Sequence, residues 1–490
     1  MVAFLLILVP FIAGVAAFFF PSTRGARAWA LLASLLTLGV SVTALCLDKG
    51  SHLLQLNVSW LPALDSRFAI RLDGIGQLLC LLSAISFPLI FGSTWRTEYR
   101  NGRNFYALML LTQAGMMGAF LAMDALLFYF FWELALVPAY FLSSIWGGER
   151  RIQATFKFFI YTFTGSLLML IAIIYLYFHT RNHSFSLESF YGLRSLIPAS
   201  DQGWLFWLFF VAFAIKMPIF PFHSWQPDTY EQSPPAVTMV LSGVMVKMGL
   251  LGLIRWLAPT LPIGTWAWGD TVSGLCIAGM IYASLIALRQ DDLKRLVAYS
   301  SIAHMGLMCL AVFATTRSGL QGVVLQIFNH GINIIGLWIV VDLIEKQFHT
   351  RKISALGGLA ARAPGLALLL VVVALANIAL PLTNAFMGEF LMFNGIFSSE
   401  ATIYNVLFTV SAALCVILSA VYMLNMIQKL FFGPVNALTA VGRDIRLDEK
   451  LALAAIVVLI LIVGIYPAPV INLTHEAVEA VLAKMNYKII

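Results

Sequence analysis

The sequence predicts an all-α polytopic membrane protein of about 14 transmembrane helices, built around two inverted five-helix repeats that each contain a broken helix. Three observations carry this expectation. Hydrophobic residues make up 61% of the 490 positions and charged residues 11%, with a mean hydropathy of +0.90, whereas a soluble domain is about one quarter charged. Apolar runs long enough to cross a hydrocarbon layer of ~30 Å recur along the whole chain. Two of these runs are interrupted by proline beside an ionisable side chain.

The runs begin near Val2, Ala28, Ile75, Asn104, Asp124, Ala154, Trp204, Pro234, Thr271, Leu296, Leu320, Pro364, Thr402 and Lys450. The first lacks a basic leader and ends in Pro21-Ser22-Thr23-Arg24, so it reads as a retained helix and not as a cleaved signal. An even number of crossings leaves both termini on one side. Lys and Arg favour one set of loops by about two to one, which predicts periplasmic termini by the positive-inside rule. Loops are short except at Asp48 to Asp73, His179 to Gly203 and Lys346 to Ala363. They leave no room for a soluble catalytic domain, so residues 1–490 are expected to form a single membrane domain.

The two interruptions are Lys216-Met-Pro-Ile-Phe-Pro-Phe-His223 and Leu380-Pro-Leu-Thr-Asn-Ala-Phe-Met-Gly-Glu389. Proline frees backbone carbonyls that lipid cannot satisfy, so each break is expected to line a polar cavity or to pack on protein. They fall on the seventh and twelfth runs, five apart. That spacing predicts a first repeat at 104–256, an inverted second repeat at 271–430, and peripheral helices at 1–95 and 450–472.

The formal charge of +7 comes from Lys and Arg placed singly or in twos and threes between apolar runs. This reads as membrane topology and lipid contact and excludes a basic nucleic-acid face. Cys46, Cys80, Cys276, Cys309 and Cys415 all fall in apolar stretches with no CxxC pair and no His at ligand spacing. Neither a metal site nor a disulfide framework is expected.

Six ionisable residues sit deep in apolar runs. Glu133 follows Phe-Tyr-Phe-Phe-Trp with no neighbouring charge in sequence. A carboxylate there costs several kcal/mol unless it is paired or protonated, so a partner on another helix is implied. Lys216 stands at the first break and Lys247 in the middle of the next run, each too deep to snorkel. A Glu133–Lys216 pair whose separation releases the lysine proton is a candidate switch. His304 and His330 follow on consecutive runs, and Glu389 closes the series at the second break. A lone buried histidine is commonly a packing residue, but two within such a series point to a relay. Asp124, Lys157, Asp342 and Glu345 lie near expected helix ends and read as interfacial, with Asp124 and Lys157 as candidate entrance residues.

Three motifs carry a resemblance. They are Phe131-Trp132-Glu133-Leu-xx-Val-Pro138, Lys216-Met-Pro followed by His223-Ser-Trp225-x-Pro227-Asp228, and Asp292-Leu-Lys294-Arg295-Leu-xx-Tyr299-Ser-Ser-Ile-x-His304-Met-Gly306. Together, over roughly residues 70 to 430, the chain resembles the proton-conducting membrane transporter family shared by respiratory complex I and multisubunit cation/proton antiporters. Within that family it is similar to the M-type branch. A chain ending at Ile490 leaves no room for the lateral helix of the large branch, and Glu389 stands where that branch and the N-type usually carry lysine. The break before Glu389 departs from the family pattern by missing two glycines.

The resemblance implies that Glu133 and Lys216 form an ion pair, that Lys247 is the central relay, that His304 and His330 connect the halves, and that Glu389 serves the periplasmic exit. It also implies a non-redox subunit of a proton-translocating NADH:quinone oxidoreductase in a bacterial inner membrane, flanked by other membrane-arm subunits. NAD, FMN, iron–sulfur clusters and quinone would then be held by partner subunits. The rival readings are a subunit of a Na+/H+ antiporter, a subunit of an energy-converting hydrogenase, and a passive scaffold.

Overall fold

The computed structural model describes residues 1–48 and 50–485. Among them, ten helices are long and apolar enough to cross a membrane, or eleven if the pair Leu447–Ile465 and Ala468–Met485, bent by 69°, is one span. The expected runs that fall outside the ten are short or broken. The first helix, α1 (Val2–Ala17), has 16 residues. The seventh run splits into α8 (Ala199–Lys216) and α9 (Trp225–Gln232), and the twelfth into α14 (Pro364–Asn377) and α15 (Asn384–Phe397). Both breaks fall where the prolines placed them.

The intervening elements are α2 (Thr23–Leu45), α3 (Gly74–Ser93), α4 (Gly102–Leu121), α5 (Ala125–Trp146), α6 (Arg151–His179) and a short α7 (Leu187–Gly192). Beyond α9 come α10 (Pro235–Leu257), α11 (Pro262–Arg289), α12 (Leu293–Phe313) and α13 (Arg317–Phe348). After α15, α16 (Asn405–Phe431), α17 (Leu447–Ile465) and α18 (Ala468–Met485) complete the fold.

The helical bundle carries a β-hairpin. Within the loop from Asp48 to Asp73, β1 (Gln55–Leu61) and β2 (Ser66–Arg71) pair antiparallel, turning at Asp65 with φ 48°. The hairpin is tied to the bundle by Asp124, whose carboxylate accepts from Ser66 Oγ (3.1 Å), Arg67 N (3.0 Å) and the amides of Leu126 and Leu127. Asp124 is thus the N-cap of α5 and a strap for the hairpin. Asp73 and Asp292 cap α3 and α12 in the same way.

In lipid, apolarity does not say which helices are inside, and close packing of small residues does. A Cβ at Gly115 would lie 2.5 Å from Ala135 N, which brings α4 against α5, and one at Gly388 would meet Gln326 Oε1 at 2.6 Å, which brings α15 against α13. The apolar windows of α10, α12 and α13 are wholly buried, whereas those of α2 and α16 are one third buried. The centre of the bundle is therefore α10, α12 and α13, the helices that carry Lys247, His304 and His330.

Two electrostatic ties stand at opposite faces of the bundle. At the hairpin face, Arg255 of α10 is buried and donates to both carboxylate oxygens of Asp73 (2.7 and 2.8 Å) and to Phe120 O (2.6 Å). At the other face, Asp444 in the loop before α17 accepts from the amides of Gly365 (2.9 Å) and Leu366 (3.0 Å), capping α14. Burial works against the Asp444 carboxylate, but the amides of Ile445, Leu366 and Gly365, with the Lys450 charge, hold it below the ordinary 3.8.

Asp73→Ala would leave the Arg255 guanidinium buried with one carbonyl, and is expected to destabilise the subunit by about 3 kcal/mol or more, read as a lowered melting temperature in detergent. Asp444→Asn is expected to speed hydrogen exchange at Gly365 and Leu366 at neutral pH. Because the folded value is depressed, the stabilisation is present above 3.8 and is lost as pH falls through the lower folded value. The two proteins should therefore converge in acid.

Candidate functional site

Lys247 lies at the centre of α10, with no exposed surface. The helix is π-wound at Leu241–Met245 and Gly252–Leu257, on either side of an α turn that starts at Lys247. Such turns shift the hydrogen-bond register and free a carbonyl. Lys247 Nζ donates to the carbonyl of Ser242 at 3.0 Å and to His330 Nδ1 at 2.7 Å. With Nδ1 accepting, the ring proton of His330 is on Nε2, which faces Ser301 Oγ of α12 at 3.4 Å.

The His330 and His304 rings lie 5.4 Å apart, centroid to centroid. His304 Nδ1 faces Ser300 O at 2.8 Å, and its Nε2 faces Asn377 O at 3.0 Å and Glu389 Oε1 at 3.7 Å. A neutral ring satisfies one of the two carbonyls, and only the imidazolium satisfies both. Beside His304 and Glu389 is a cavity of about 20 Å³ that also touches Ser419, room for one water. Lys247, His330, His304 and Glu389, from four helices, thus form one connected polar line.

The first two members of the predicted series are placed differently. Lys216 is buried at the end of α8, and its ammonium sits 5.0 Å from the ring centroid of Trp132, with no hydrogen-bond partner among the described residues. Glu133 is only half-buried on α5 and faces Ser166 of α6. Among the described residues, no ion pair of 4.0 Å or less joins them, although the two charges are near enough to act on one another. The expected contact pair is replaced by a cation–π contact, worth about 2 kcal/mol when desolvated. The reason is positional: Trp132, one residue before Glu133, takes the place beside the Lys216 ammonium, and the Glu133 carboxylate lies towards Ser166 of α6.

At the first break the carbonyl of Ile215 is satisfied by the indole N–H of Trp225 at 2.9 Å. At the second break the freed carbonyls are taken by side chains of other helices, His304 for Asn377 O and Asn333 for Ala376 O. Ala379 (φ 55°) and Leu382 (φ 73°) take left-handed conformations there without being glycine, each costing about 1–3 kcal/mol.

The sequence reading also missed a cluster of charges at the face opposite the hairpin. Glu231 of α9 meets Arg150 (3.1 Å), Arg295 (2.9 Å) and Arg351 (2.7 Å) while almost wholly buried. Lys157 pairs with Asp228 at 2.9 Å, and Lys294 with Glu345 at 2.7 Å. Arg150, Glu231, Arg351 and the Lys294–Glu345 pair line a cleft of about 780 Å³ that also reaches Asp342. Asp228, Lys294 and Arg295 belong to motifs visible in the sequence, but their partners come from distant segments.

With this geometry in view, residues 122–436 match the profile described as NADH:quinone oxidoreductase/Mrp antiporter, transmembrane. The chain belongs to that family. It is 36% identical to the NADH-quinone oxidoreductase subunit M of Rickettsia typhi over 93% of this chain and 92% of that one. It is 37% identical to the subunit of the same name from Rhodobacter capsulatus, over 93% and 90%. Among solved structures, a chain of respiratory complex I from Thermus thermophilus with bound NADH superposes with a TM-score of 0.91 at 29% identity, covering 99% of this chain and 100% of that one. The family membership expected from the three motifs is borne out.

In this member of the NADH:quinone oxidoreductase/Mrp antiporter family, Trp225→Phe removes the donor to Ile215 O but keeps an aromatic ring. It is expected to lower stability by about 1–3 kcal/mol, measured as a fall in the thermal midpoint of the purified complex.

Proposed function

We propose that this chain is a proton-translocating, M-type membrane subunit of an NADH:quinone oxidoreductase in a bacterial inner membrane. The observation that carries this reading is the connected line Lys247–His330–His304–Glu389 through the buried centre of the bundle. Four ionisable groups in one file, in a setting where each is expensive to keep, fit proton transfer better than they fit a scaffold.

The resemblance to the subunits M supports partners on both sides, and the half-buried position of Glu133 suits a residue that senses a neighbouring subunit. In this reading, redox work done in partner subunits, which hold NAD, FMN, iron–sulfur clusters and quinone, changes the charge beside Glu133. The Lys216 ammonium, over the Trp132 face and within the field of Glu133, responds by giving up or regaining a proton. Lys247 then passes a proton through His330 and His304 to Glu389, which releases it at the hairpin face. Met1 and α18 lie at that face, which this reading makes periplasmic. Residues 104–256 and 271–430 serve as the two inverted halves, each with its broken helix. Moving one charge against 100 mV costs about 2.3 kcal/mol, so the bias on Lys216 must be of that size.

Lys247→Ala and Glu133→Ala, in a complex shown to assemble on a native gel, are expected to reduce proton pumping several-fold in inverted vesicles. NADH oxidation should fall with it. Wild-type rates of both activities in Lys247→Ala would leave the polar line structural, and in Glu133→Ala would remove Glu133 from the coupling.

A further inference from the structure

The second break is strained and has no glycine between α14 and α15 to relieve it. Ala379 and Leu382 hold φ angles of 55° and 73°, values that glycine adopts freely and other residues do not. What keeps the chain in this form is a set of buried amides on the unbroken helix α13. Asn333 Nδ2 donates to Ala376 O at 3.2 Å, near the end of α14, and to Asn384 Oδ1 at 3.0 Å, at the start of α15. One turn away, Asn329 Nδ2 donates to Asn384 O at 2.7 Å. All three asparagines are essentially without exposed surface. On the outer side α17 closes on the same segment, since a Cβ at Gly464 would come within 2.3 Å of Leu382 O.

Glu389 stands five residues after Asn384 on the same helix, and its carboxylate lies 3.7 Å from His304 Nε2. The other oxygen that faces His304 Nε2, Asn377 O, belongs to the last residue of α14. The two contacts of His304 Nε2 therefore lie on opposite sides of the break, and their spacing is set by how tightly the break is held. We propose that Asn333 is a positioning residue for proton transfer: by bridging α14 and α15 it holds the strained break closed and keeps Glu389 within reach of His304. The inference rests on the proton-translocating reading above, and deepens it by naming what substitutes for the glycines missing from this break.

The test uses the assembled complex in inverted vesicles, with pumping rate and protons moved per NADH oxidised measured for Asn333→Ala, Leu382→Gly, the double variant and Glu389→Gln. Asn333→Ala is expected to lower the pumping rate about five- to ten-fold through loss of two buried hydrogen bonds, with fewer protons per NADH. Leu382→Gly alone should pump near the wild-type rate, and in the double variant it should restore much of the loss, because glycine holds the left-handed turn without the clamp. If Asn333→Ala fails to assemble, Asn384→Ala, which deletes only one acceptor, should show the same loss in smaller degree. Loss without rescue by Leu382→Gly would overturn the positioning role. Full pumping by Asn333→Ala or Asn384→Ala beside a dead Glu389→Gln would overturn this inference and leave the proposed function intact. Full pumping by Glu389→Gln would overturn both.

Discussion

An ammonium with no exposed surface in a bundle designed for lipid must find every partner inside the protein, and much of this architecture answers that demand for Lys247. Its nitrogen takes the carbonyl that a π turn frees from its own helix and the imidazole of His330 from the neighbouring one. Helix α10 can be π-wound on both sides of this residue because it is buried along its whole length, packed on α3, α8 and α13. Without that enclosure the displaced backbone groups would face lipid. The same rule explains why irregular backbone occurs at two more places, the breaks after Lys216 and Asn377, and why each is stitched by a buried donor from elsewhere.

The polar line and the peripheral charges are different kinds of electrostatics. Glu231, Asp228 and their arginine and lysine partners sit at the face opposite the hairpin, where each acid meets at least one base directly and the cluster joins α9 to the ends of α12 and α13. Such multiply paired charges have little freedom to gain or lose protons. The central residues are linked instead through single contacts: one lysine to one histidine, one ring to another, one imidazole to one carboxylate. Groups that share one bond each can exchange it, and this sparse pairing is what separates a path from a clamp.

Two histidines on consecutive helices can be read from the chain, but their separation of 5.4 Å cannot, because it depends on how α12 and α13 rotate against each other. Glu133 and Lys216 make the converse case. Both were visible as costly residues, and a direct pair was the economical guess. The inward turn of Trp132 left the lysine over an aromatic face and the glutamate towards Ser166 of α6. The asparagines Asn329, Asn333, Asn377 and Asn384 left no signal at all, since a neutral amide in an apolar run is common and its value lies wholly in which carbonyls it reaches. The β-hairpin was hidden for a similar reason: a short alternating segment inside a loop gains its stability from Asp124, a residue more than fifty positions away.

By itself the sequence determined the solvent, the family, the positions of both helix breaks and the identity of the buried ionisable residues. Those follow from composition and local chemistry, since an apolar run, a proline or a mid-run lysine has the same meaning wherever the helix comes to rest. Only the tertiary structure decided which of those residues touch, which face outwards and which neutral side chains hold the breaks. These depend on helix rotation and close approach, set by glycines such as Gly115 and Gly388 acting across helix pairs, and a one-residue turn of a helix is invisible to hydropathy.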